Sequence, residues 1–150
     1  MVLLDTNVIS ELWKATPNPH VLAWIDAQAV QTLYLSAITV AELRFGLAMM
    51  PAGKRRTLYQ NRLEREVLPI FTERVLPFDL EASQAYADLM AHARGTGKAI
   101  VKDDGYIAAI AFAHGFSVAT RDVAPFENAG LSVINPWKTG PLLDPRKPGV

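Results

Sequence analysis

VLLD, residues 2–5, is the stretch whose reading decides the fold. Val2, Leu3 and Leu4 are apolar in succession and end on an acid. A strand with no polar alternate face is covered on both sides, which is the environment of a parallel sheet. Working outward from it, Tyr34–Ser36, Arg74–Leu76, Ser117–Thr120 and Leu131–Ile134 read as further short strands. Between them the spacing predicts helices over Val8–Lys14, capped by Thr6 or Asn7, and over Pro19–Gln28. A third is expected over Val40–Met50, introduced by Thr39 with Glu42 three residues on in the manner of a capping box. Lys54–Leu68, Leu80–Arg94 and Asp104–Ala113 complete the helical set. Strands alternating with helices imply βαβ units wound into one mostly parallel sheet flanked by helices, an α/β fold.

The chain has 150 residues, half of them apolar, enough for one well-filled core. One domain is expected over residues 1–135, followed by a proline-rich tail over 136–150 that holds four of the ten prolines. Fifteen lysines and arginines balance fifteen aspartates and glutamates, so no global field attracts nucleic acid and any such affinity must be local. The absence of cysteine excludes disulfides, a thiol nucleophile and a zinc–thiolate site. No basic segment precedes the opening apolar run, and no segment reaches the ~18 apolar residues of a spanning helix. A cytoplasmic protein without a membrane anchor is expected.

Four acids fall where a parallel sheet gathers ligands, at the carboxyl ends of its strands. Asp5 directly follows the first strand, and Asp122 follows the strand Ser117–Thr120 after Arg121. Glu42 and Asp104 are expected in the first turns of two helices that begin near the same edge. Asp104 is preferred over Asp103. Ile107, Ala108 and Ala111 continue its face as a stripe suited to lie on the sheet, whereas Asp103 projects about 100° away. Carboxylates gathered in this way repel unless protonated or neutralised by a cation, so the cluster implies a hard divalent ion, magnesium or manganese. The chemistry implied is hydrolysis of a phosphate ester. Each acid alone also fits a structural role: turn or cap for Asp5, capping box for Glu42, helix-dipole partner for Asp104, and a loop pair with Arg121 for Asp122.

Together with their surroundings these residues resemble the PIN-domain ribonucleases, specifically the VapC/FitB-type toxins. The segments LLDTNVISEL, LYLSAITVAELRFGL, DDGYIAAIAFAHG and VATRDVAPFENAGLSVINPW carry the resemblance, in order and over nearly the whole chain. The resemblance implies a metal-dependent endoribonuclease that inhibits translation, forms a homodimer and is silenced by a VapB/FitA-like antitoxin. It assigns Asp5 and Asp104 to the metal (Mg2+, with Mn2+ as substitute) and Glu42 to the catalytic set. Asp122 is a looser fourth match, and Thr120 fits a hydroxyl that bonds a water or phosphate. Where many relatives carry Asp-Ala, this chain has Asp104-Gly105.

Arg44 and Arg121 are expected near the pocket, as grips for the scissile phosphate or as balance for nearby acids. Lys54, Arg55, Arg56, Arg62 and Arg65, with Tyr59 among them, form either an RNA-binding face or a solvated helix face. Trp13, Trp24, Phe45 and Met49 belong either to the core or to a groove for a partner helix. The three histidines have no metal-ligand spacing. Two other readings fit poorly: Asn7 stands where an aspartyl phosphotransferase or phosphatase has its second acid, and a nucleotide-binding module would need a glycine-rich loop that is not present. A non-catalytic PIN-like RNA-binding or interaction module is the remaining alternative.

Overall fold

The computed structural model describes residues 1–139. Five strands, β1 (Val2–Leu4), β2 (Leu33–Ser36), β3 (Val75–Leu76), β4 (Ser117–Ala119) and β5 (Val133–Ile134), form one sheet in the order β3-β2-β1-β4-β5. All four pairings are parallel, as the apolar run at the first strand requires. Among the described residues seven α-helices surround the sheet: α1 (Thr6–Leu12), α2 (Pro19–Asp26), α3 (Ala37–Ala48), α4 (Lys54–Arg62), α5 (Leu80–Gly95), α6 (Lys102–His114) and α7 (Val123–Asn128).

Alternation along the strands divides the core in two. Leu3 and Val118 face α5, α6 and α7, packing with Leu89, Ile107, Ile110 and Phe126. Leu4 and Ala119 face the other layer, with Val8, Ile9, Leu35, Leu43 and Phe71. Apolar side chains cover both faces of β1, and all three of its residues are buried.

Three helix starts differ from expectation. Asp5 takes the cap role it could also have, in place of Thr6 or Asn7, its carboxylate accepting from the Thr6 amide, so α1 begins two residues earlier than expected. The Ser36 hydroxyl accepts from the Thr39 amide and caps α3, so the helix begins three residues earlier than expected and Thr39 and Glu42 form no capping box. Glu42 therefore lies in the second turn. The helix carrying Asp104 starts at Lys102, placing the acid in its first turn. The fourth helix, expected to run to Leu68, passes at Arg62 into a π-turn over Leu63–Val67 and a 3-10 turn over Leu68–Phe71, where Pro69 lacks the amide to continue a helix.

Beyond β5, Pro136–Lys138 makes one 3-10 turn, capped by Asn135. Pro136 is buried and Trp137 packs against the second core. The remainder of the proline-rich tail expected over 136–150, from residue 140 on, lies outside the described residues. Among the described residues no helix is long and apolar enough to cross a membrane.

Candidate active site

The strand order reverses between β1 and β4: from β1 the chain winds outward through β2 to β3, and from β4 outward to β5. Such a reversal opens a crevice beyond the strands' carboxyl ends. A cavity of about 390 Å³ lies there, and Asp5, Glu42, Asp104 and Asp122 all line it. The four acids expected to meet do share one pocket.

Asp5 is its most constrained member. Only 6% exposed, its Oδ1 accepts from the Thr6 amide (2.8 Å), and its Oδ2 from the Thr120 hydroxyl (2.8 Å) and Asn7 Nδ2 (3.2 Å). A carboxylate offers about four lone-pair sites. Three are occupied, and the one left free is on Oδ1. Burial raises the Asp5 pKa above its ordinary value, opposed by the bonds from Thr120 and Thr6 and reinforced by the charge of Asp122.

Thr120 is fully buried and acts across the switch point. Its hydroxyl donates to Asp5 and accepts from Asn7 Nδ2 (3.3 Å) and the Asp122 amide (3.1 Å). A hydroxyl has one proton and two lone pairs, and all three are committed. Thr120 therefore orients Asp5, with all of its hydroxyl's bonding capacity spent within the protein. Asn7, expected only as a helix cap or as the residue in place of a second acid, closes the network: its Oδ1 accepts from the Arg121 amide at 3.2 Å.

Glu42 and Asp104 form the opposite acidic wall. The Thr6 hydroxyl donates to Glu42 Oε1 (3.2 Å). Burial raises the Glu42 pKa, with the charges of Asp5, Asp103 and Asp104 adding to the shift and the Thr6 bond opposing it. Burial, then the charges of Asp5, Asp122 and Asp103, push Asp104 up to about 6. Asp104 lines the pocket; Asp103 is exposed and does not.

Two cations and an indole complete the rim. Lys14 Nζ pairs with the buried Glu11 at 2.6 Å. The Arg121 guanidinium lies 5.5 Å from the centre of the Trp137 ring. Arg121 is thus placed at the pocket as expected, while Lys14 and Trp137 went unread, Trp137 because it falls in the proline-rich segment. Arg44 is elsewhere. Two residues beyond Glu42, it points about 200° around α3 and forks onto Glu64 at 2.8 and 3.0 Å. Its expected grip on a phosphate in this pocket is therefore corrected to a surface ion pair.

Among the described residues no group of three or more acids or histidines is already closed into a metal-ligand set. The donor chemistry nonetheless fits a hard cation: oxygen ligands only, one free lone pair on Asp5 Oδ1, and an Asp104 carboxylate whose shift includes no hydrogen-bond contribution. Magnesium commonly takes one or two protein carboxylates directly and keeps several waters. Five acids (Asp5, Glu11, Glu42, Asp104, Asp122) face two bases (Lys14, Arg121) around the cavity, so an approaching phosphate is repelled until a cation is added.

Comparison with known proteins places this geometry in a lineage. The chain is 74% identical over 138 residues to the VapC ribonuclease Y4jK of Sinorhizobium fredii, spanning 92% of this chain and 99% of that protein. It is 49% identical over 137 residues to toxin FitB of Neisseria gonorrhoeae, spanning 91% and 99% respectively. The crystal structure of FitAcB from the same organism superposes with a TM-score of 0.90 at 48% identity, covering 92% of this chain and 99% of that one. The family model of the PIN domain matches residues 2–130, and the chain belongs to the PIN-domain family.

Proposed function

We propose that this chain is a metal-dependent endoribonuclease that hydrolyses RNA phosphodiester bonds at the acidic pocket. We further propose that it is the toxin of a toxin–antitoxin pair, acting as a homodimer in the cytoplasm to inhibit translation and silenced by a VapB/FitA-like antitoxin. The observation that carries the catalytic reading is the convergence of Asp5, Glu42, Asp104 and Asp122 at the switch point, where burial first and neighbouring charges second raise the pKa of three of them. An enzyme that keeps such repulsion gains a site for a divalent cation. The relatives named a VapC ribonuclease and a FitB toxin support the same reading.

In this scheme Asp5 and Asp104 would hold magnesium or manganese. When bound, the ion supplies Lewis-acid stabilisation of the phosphodiester and lowers the pKa of water. The protein's part is positional. Thr6, Asn7 and Thr120 hold Asp5 in one orientation. Glu42 and Asp122 orient water in the pocket, and Lys14 and Arg121 offer the charged donors that grip the scissile phosphate.

The test is cleavage of a mixed cellular RNA pool with magnesium or manganese and with chelator, beside Asp5→Asn and Asp104→Asn. Cutting by the wild type should need the metal, and each variant should fold yet lose activity by orders of magnitude. Full activity in either variant overturns the assignment. Metal binding without cutting would leave a non-catalytic module.

A further inference from the structure

A second cavity, of about 540 Å³, lies between α5 and the loop that leads into α6, away from the acids. Tyr86, Met90 and Ile100 supply apolar walls, and Arg94 and Lys102 stand at its edge. No acid lines it. Among the described residues neither cation belongs to an ion pair. The Tyr86 ring is fixed from behind, stacked on Tyr106 at 4.7 Å and 21° and meeting Phe78 edge-on at 6.1 Å.

The first turn of α6 separates this cavity from the acidic pocket. Lys102 lines the cavity, while Asp104, about 3 Å further along the helix axis and about 200° around it by helix geometry, lines the pocket. Gly105 makes the partition thin: a Cβ there would come within 2.7 Å of Met90 Sδ and 3.1 Å of Tyr86 Cε2. Since the chain carries equal numbers of acidic and basic residues, RNA must be held by local features. Unpaired cations beside an immobilised aromatic ring and a thioether have the chemistry of a single-strand subsite, in which phosphate meets charge and a base meets an apolar face.

We propose that this cavity seats an unpaired nucleotide of the RNA adjacent to the scissile phosphate, its base against Tyr86 and Met90 and its phosphate on Arg94 and Lys102. The proposal rests on the nuclease reading above and adds a determinant of substrate length and base preference to it. A second copy of the chain is the rival occupant.

The experiment pairs a binding with a kinetic measurement on wild type, Arg94→Ala/Lys102→Ala and Ala91→Trp, which fills the cavity from an exposed lining position. Anisotropy of fluorescent single-stranded oligoribonucleotides of increasing length, with calcium in place of magnesium to neutralise the acids, reports binding without turnover. Wild type should gain affinity when the flanking nucleotide is added, and both variants should lose that gain, binding roughly tenfold more weakly. For the double variant the slope of log affinity against log salt should fall by roughly 0.7 per lost phosphate contact. In the cleavage assay KM should rise while kcat stays within about twofold. Unchanged length dependence in an active enzyme overturns the subsite and leaves the nuclease standing. A changed oligomeric state with unchanged RNA affinity overturns it in favour of the second copy. If wild type cuts nothing yet binds through Arg94 and Lys102, the nuclease reading fails and the subsite survives; if it binds nothing, both fall.

Discussion

Thr120 shows how a buried hydroxyl can fix the orientation of the carboxylate proposed to hold the metal. Its hydroxyl links Asp5, Asn7 and the Asp122 amide across two strands that are adjacent in space but 115 residues apart at their acid-to-hydroxyl bond. Thr120→Val keeps the shape but removes one donor and two acceptors. Asp5 then loses a bond that holds its pKa down, and the Asp122 amide is left without an acceptor. The expected result is a 10–100-fold fall in metal affinity or activity, as for other residues that orient metal ligands, with a loss of about 1–3 kcal/mol in stability. Thr120→Ser should restore most of both. Metal titration and thermal melts decide it, and a Val variant with unaltered metal affinity would show the network to be incidental. At this scale the acids were legible because strand ends and acid identity are written in sequence. The bonds that orient them were not: Asn7, Thr120 and Asp122 come together only through the β1–β4 pairing, and a threonine in a strand is in itself unremarkable.

Among the elements, α3 illustrates what a misplaced cap does. Thr39 and Glu42 fit a capping box by spacing, but Ser36, which also ends β2, reaches the Thr39 amide first, leaving Glu42 free to face the pocket. The 3.6-residue period then carries Arg44 to the far side of the helix. Arg44 and Glu64 are about half exposed, so their pair contributes at most about 1 kcal/mol despite its two-pronged geometry. Arg44→Ala should therefore leave RNA cleavage within twofold of wild type and lower the melting temperature only slightly. A tenfold loss of cleavage would return Arg44 to the substrate path. The helices with long apolar periodicity were legible to within a few residues. α7 was not, because it is six residues long and contains Pro125, tolerated only because the first turn of a helix has amides without partners. The π-turn after α4 left no signal in the periodicity that precedes it.

For the whole molecule, the all-parallel sheet concentrates charge at one edge, although the full chain has none to spare. Two apolar layers bury both faces of β1 and leave its carboxyl end as the place where polar groups collect. Parallel order followed from the apolar runs; the reversal between β1 and β4, which makes the crevice, depends on crossovers that no local pattern encodes. That concentration should appear in the stability of the metal-free protein. Asp104, ordinarily near 3.8, is pushed up to about 6 in the fold by burial first and by its acidic neighbours second. The folded state therefore binds this proton more tightly than the unfolded chain, and the resulting contribution to stability is fully present below about pH 4 and lost as pH rises through about 6. Melting temperature in chelator should accordingly rise between pH 8 and pH 5, with Asp5 and Glu42 shifting in the same sense. Asp104→Asn should be more stable than wild type at pH 8, with the difference closing near pH 5. Excess magnesium at pH 8 should stabilise wild type through binding to the folded state and do much less for the variant. A flat wild-type profile over this range, or an Asp104→Asn variant less stable at pH 8, would mean that the acids are not in electrostatic conflict and that the pocket has no need of a cation.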